Sequence, residues 1–309
     1  MRGAGENFMK QTSSNSNSAN PSPGRAVEQT VQETARNPTT IFLGRLGYAA
    51  KGLVYIIIGG LASLAALGNG GATTDRKGAI QAIYEQPFGK ILLGIMIFGL
   101  ACYALWSFIK AVADTEAKGS EPKGIANRLF YAGVGLSYIT LAFGAFKLLT
   151  GAGNSGENSD ATAKDWTAEL LKQPLGMVLV IIAGLVVLGA AGFQFYKAYK
   201  ASFQKHLEVG EMSTETKKWI IRLGRFGLAA RGLVFSVIGL FLIIAALQRN
   251  PDQAKGLGGA LNELSGQPYG QILLGIVAVG LIAYGIYSLA EARYRRMIET
   301  AASSNKKGT

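Results

Sequence analysis

The chain has 309 residues, of which 49% are hydrophobic and 16% charged, with a formal net charge of +12. So apolar a composition excludes an ordinary soluble protein of this length. Lys and Arg collect in loops beside an anionic membrane face, so the charge gives no ground for a nucleic-acid partner, and the single cysteine, Cys102, excludes an internal disulfide framework.

Residues 1–38 are rich in Ser, Asn, Gln and Pro, lack an apolar leader core, and are expected to form a disordered tail rather than a cleavable signal peptide. Six uncharged stretches follow: Gly52–Gly68, Ile91–Ile109, Leu129–Phe146, Gln173–Tyr196, Gly232–Gln248 and Leu264–Ala290. Each is roughly 17 residues or longer, enough for a helix to cross about 30 Å of hydrocarbon. None shows the polar stripe of a soluble core helix. The fold class is therefore all-α and integral to a membrane, with six transmembrane helices. A second polar tail is expected at 298–309.

The crossings form three tandem two-helix units, at 39–115, 122–202 and 217–297. Gly44-Arg45-Leu46-Gly47-Tyr48-Ala49-Ala50-Lys51-Gly52 opens the first stretch, and Gly224-Arg225-Phe226-Gly227-Leu228-Ala229-Ala230-Arg231-Gly232 opens the fifth. A looser copy starts at Arg128. The second helix of each unit is headed by Gln86-Pro87-Phe88-Gly89, Gln173-Pro174-Leu175-Gly176 or Gln267-Pro268-Tyr269-Gly270. Two crossings per unit give every unit the same orientation, so the repeats are parallel and a pseudo-threefold ring is the simplest arrangement. The proline is expected in the first helical turn, where its missing N–H costs nothing. Upstream, Gly78–Tyr84, Asp165–Leu171 and Gly259–Leu264 are predicted as short amphipathic helices at the interface.

Lys and Arg crowd one side, with Arg45, Lys110, Arg128, Lys197, Lys200, Lys217, Lys218, Arg222, Arg225 and Arg293 among them. That bias predicts cytoplasmic termini, which in a bacterium means the inner (plasma) membrane, with anionic lipids as partners at the cytoplasmic face and the Gln-Pro-x-Gly turns outside.

The doubled signature, Gly-Arg-x-Gly-x-Ala-Ala-Lys/Arg-Gly on odd helices and Gln-Pro-x-Gly on even ones, resembles the bacterial domain-of-unknown-function 1206 family over about Ile41 to Met297. The resemblance implies a bacterial membrane protein and no activity. The middle repeat departs from the pattern, with Val134 where the outer repeats carry Lys51 and Arg231.

Lys51 and Arg231, with the boundary arginines Arg45, Arg128 and Arg225, are the candidate functional residues. Lys51 and Arg231 could line an anion pathway, but the short apolar run after each predicts snorkelling to the cytoplasmic interface. Gln86, Pro87, Gly89, Gln173, Pro174, Gly176, Gln267, Pro268 and Gly270 are read as structural. Tyr103, Trp106, Tyr284 and Tyr287 are expected in an interfacial aromatic belt. The glycines recurring on even helices (Gly94, Gly99, Gly184, Gly189, Gly192, Gly275, Gly280 and Gly285) are expected to bring helices close, and Cys102 to be a small buried apolar residue.

The only histidine, His206, has no second His or Cys beside it, and no nucleophile, phosphate-loop or dinucleotide fingerprint occurs, so no metal, cofactor or catalytic site is predicted. A non-enzymatic scaffold or accessory protein with an unidentified protein partner is the first expectation. A channel or transport-like protein with an axial, anion-attracting pathway is the second.

Overall fold

A computed structural model describes residues 33–35, 37–68, 75–113, 122–152, 159–207 and 212–295. Apart from residues 33–35 and 37–38, the two expected tails fall outside the described residues. The long helices are α1 (Pro38–Ala66), α3 (Gly89–Ala113), α4 (Pro122–Thr150), α6 (Gly176–Lys200), α7 (Thr214–Leu247) and α9 (Gly270–Tyr294). All six are long and apolar enough to span a membrane. Short helices α2 (Arg76–Tyr84), α5 (Ser159–Leu171) and α8 (Leu257–Ser265) precede the even spans, where amphipathic segments are predicted. Side-chain caps start the first and fifth spans: Asn37 accepts from the Thr39 N–H, and Ser213 from the Thr216 N–H.

The Gln-Pro-x-Gly segments correct the expectation that proline opens a helix. Each is a tight turn closed by the glycine N–H donating to the glutamine carbonyl, at 2.7 Å for Gly89–Gln86, 2.9 Å for Gly176–Gln173 and 2.7 Å for Gly270–Gln267. Proline fits the second turn position because its φ is preset. The residue after it takes a left-handed φ, 61° at Phe88, 68° at Leu175 and 60° at Tyr269. A side chain on the glycine would collide with the last carbonyls of the preceding short helix, Tyr84 O for Gly89 and Leu170 O for Gly176.

The spans pack in the cyclic order α1, α3, α4, α6, α7, α9, which is the order of a pseudo-threefold ring. Three equivalent seams join the repeats, each built on an equivalent glycine. A Cβ on Gly52 would lie 2.7 Å from the Gly285 carbonyl, one on Gly135 would lie 3.2 Å from the Ala104 carbonyl, and one on Gly232 would lie 3.0 Å from the Phe195 ring. At the first two seams the backbones approach this closely because a side chain is absent, and at the third the glycine makes room for a ring.

Within repeats 1 and 3 the two spans also touch. A Cβ on Gly47 would sit 2.6 Å from Tyr103 Cα, one on Gly227 would sit 2.5 Å from Tyr284 Cα, and one on Gly99 would sit 2.6 Å from Ala50 Cβ. Repeat 2 breaks the symmetry, because α4 and α6 do not pack on one another. Its residues at the positions of Gly44, Gly47 and Gly99 are Asn127, Phe130 and Val186, so the glycines that allow close approach in the other repeats are missing here. Phe130 is 58% and Val186 65% exposed, and Gly133, matching Ala50, faces open space. The short helix α5 stays against α6 and also reaches across to repeat 3: the Asp160 carboxylate accepts from the Gly256 N–H at 2.5 Å, and Lys164 pairs with Asp252 at 3.4 Å.

Several of the glycines expected to mediate packing do so, notably Gly99, Gly184, Gly280 and Gly285. Gly94, Gly189 and Gly192 meet nothing, because the faces that carry them have no neighbouring helix.

Candidate functional site

The bundle interior is neither an open tube nor a plain Gly, Ala and Leu core. Tyr48 and Tyr55 from α1, Tyr103 from α3, Tyr138 from α4, and Tyr284 and Tyr287 from α9 are all buried. The rings meet edge to face, with centroids 5.3 Å apart for Tyr48–Tyr103, 4.5 Å for Tyr103–Tyr138 and 4.8 Å for Tyr55–Tyr284. This corrects the reading of Tyr103, Trp106, Tyr284 and Tyr287 as an interfacial belt. Trp106, for instance, is 1% exposed, and its ring packs over Gly44.

Cations interleave with the rings. Lys51 is only 4% exposed, so it does not snorkel. Its ammonium forms an ion pair with Glu291 at 3.3 Å and lies over the rings of Tyr48, Tyr103 and Tyr284 at 4.6, 5.1 and 5.3 Å. The inward turn has a physical reason: a carboxylate and three ring faces replace the water that snorkelling would reach. Arg295, at the end of α9, donates to the second carboxylate oxygen of Glu291. Lys110 donates to the Tyr48 hydroxyl at 2.5 Å and stacks over Tyr131 at 4.6 Å.

Arg231 also turns inward, although the residue as a whole is half-buried. Its guanidinium lies 4.4 Å from the Tyr284 ring centre, 5.2 Å from Phe235 and 5.3 Å from Tyr55. On the side of the turns, Arg76 reaches in from α2, donating to the Tyr55 hydroxyl at 3.5 Å and lying over Tyr138 at 5.2 Å. From turn side to terminal side the column thus runs Arg76, Tyr55, Arg231, Tyr284, Lys51, Glu291 and Arg295. Lys110 flanks it beside Tyr48.

The charge of this column is unbalanced. Glu291 answers Lys51 and Arg295, whereas Arg231 has no ion pair among the described residues and its Nε has no hydrogen-bond partner. An arginine held inside a bilayer without an anion is costly, and the ring faces offset only part of that cost.

The other sequence candidates lie apart from the column. Arg45 and Arg225 are exposed, and Arg128 donates to the Val112 carbonyl at 2.8 Å, capping the C-terminus of α3. Cys102 is buried. Among the described residues no cluster of His, Cys, Asp or Glu is arranged to hold a metal. Sequence reasoning missed Arg76, Glu291 and the tyrosine web. One signal was available: counted from the Gln-Pro-x-Gly turns, Glu291 matches Lys110 and Lys197, so an acid replaces a base in one repeat of three.

The family model described as Domain of Unknown Function (DUF1206) matches three times, at residues 46–114, 129–201 and 226–295. The uncharacterized protein YxxB of Bacillus subtilis (strain 168) is 36% identical over 276 residues, covering 88% of this chain and 97% of that protein. No solved structure matches. With matches across all three two-helix units and a relative aligned almost end to end, the chain belongs to the DUF1206 family.

Proposed function

We propose that this is a non-enzymatic protein of the bacterial plasma membrane that binds an anionic group in its interior and acts as a transport-like rather than a purely scaffolding protein. The observation that carries this reading is Arg231, an interior guanidinium framed by three rings and left without a carboxylate. A scaffold gains nothing from such a residue, since Val134 occupies the equivalent position of repeat 2. An anion between Arg231 and Arg76 would neutralise charge that the protein leaves uncompensated. Side chains fill the axis in this conformation, so the bound anion would be occluded rather than free to flow.

The test is thermal unfolding of detergent-purified protein with inorganic phosphate titrated in at fixed ionic strength. A Tm rise of about 2–4 °C is expected at roughly tenfold excess over Kd. Arg231→Gln should abolish it. An identical response in both proteins would mean that phosphate acts only as a stabilising salt, and the reading would fail.

Cytoplasmic termini belong to the same proposal, supported by the crowding of Lys and Arg on the terminal side. In a Cys102→Ser background, a cysteine replacing Tyr269, which is 84% exposed, should react with a membrane-impermeant maleimide in intact cells. One replacing Glu215 should react only after lysis; the reverse pattern would invert the topology.

A further inference from the structure

The cation column has an opening on one side. Gly133 and Val186 stand where Ala50 meets Gly99 in repeat 1 and Ala230 meets Gly280 in repeat 3, yet here they face no partner. Gly189 has open space around it, although the matching Cys102 and Ala283 are buried. Behind this gap lies the interior face of α4 with Tyr138, over which Arg76 is stacked. Arg76 shares Tyr55 with Arg231, so the guanidinium that lacks an anion stands on the inner side of the gap.

We propose that the gap between α4 and α6 admits an anionic lipid from the bilayer, its phosphate seated on Arg231 and its acyl chains left between the two helices. The proposal rests on the interior being an anion site, as argued above. Two observations favour a lipid over a free solute. The ends of the column are plugged: Arg76 and α2 cover the turn side, and the linked Lys51, Glu291 and Arg295 close the terminal side. The lateral walls are apolar, with Phe130 58% and Val186 65% exposed, and such walls suit an acyl chain while opposing a hydrated ion. Bidentate guanidinium–phosphate contact then supplies the selectivity for a phosphate head.

The test uses the full chain in nanodiscs of phosphatidylglycerol or phosphatidylcholine, extracted into mild detergent and weighed by native mass spectrometry. Wild type should retain about one phosphatidylglycerol per chain and little phosphatidylcholine. Arg231→Gln should lower that occupancy about tenfold, the size expected for losing one charge-assisted contact. Gly189→Trp fills the gap from a position where a Cβ has no atom within 4 Å, so it should fold normally and lower occupancy equally. Retention that survives Gly189→Trp but not Arg231→Gln would overturn the lateral route and leave the interior site standing. Stabilisation by inorganic phosphate that requires Arg231, with no lipid retained, would overturn the lipid as ligand. Equal retention in all three proteins would reduce the lipid to an annular one and sink the proposal.

Discussion

Glu291→Ala is expected to destabilise the protein by about 3–5 kcal/mol, enough to lose most of the folded protein in detergent. The carboxylate is 4% exposed and serves two cations at once, Lys51 from α1 and Arg295 from its own helix. Removing it takes the shared carboxylate away from both charges in a low-dielectric interior, and ring faces offset only part of that loss. Truncating all three partners is a different matter. Lys51→Met and Arg295→Met with Glu291→Leu remove the whole buried cluster, and such replacements are often neutral or stabilising. Unfolding monitored by near-ultraviolet circular dichroism separates the cases. If Glu291→Ala lies within about 1 kcal/mol of wild type, the pair does not hold α1 to α9 and the account of the column is wrong.

Gly47→Leu should cost about 3 kcal/mol or more through overpacking. A Cβ at that position would already lie 2.6 Å from the Tyr103 backbone, an atom that cannot rotate away. Helices α1 and α3 would have to separate, which also pulls Tyr103 off the Lys51 ammonium, 5.1 Å away in the native packing. The comparison is with the matching residue of the middle repeat. Phe130 is 58% exposed, so Phe130→Leu should change stability by less than about 0.5 kcal/mol. Parallel unfolding curves decide between these expectations. Comparable losses at both positions would show that the α4/α6 seam is closed in the membrane.

The helices, their pairing into repeats and the cyclic order were legible in the sequence because they depend on quantities it states directly. These are apolar length, the spacing of turn motifs and the parity of crossings. The open seam was also written there, at Asn127, Phe130 and Val186, but reading it required knowing which glycine faces which helix. The interior column was harder to see. Lys51 and Arg231 stood out as charges, yet span length alone favours snorkelling, and only the three-dimensional meeting of Lys51 with Glu291 reverses that preference. Tyrosines near a helix end read equally well as belt or core until the neighbouring helix is placed. The proline was misplaced by two residues because a tight turn and a helix start share its φ.

The ion pair between Lys51 and Glu291 spans 240 residues of sequence, and this has a consequence for biogenesis. Helix α1 precedes α9 along the chain, so Lys51 is synthesised long before its carboxylate has been made. During synthesis the first hairpin must hold that ammonium on the rings of Tyr48 and Tyr103 alone. The seam between α1 and α9 is also the most extensive contact between spans. Closure of this seam therefore waits for α9, and a ribosome that stops before it releases a chain whose buried charge marks it as unfinished.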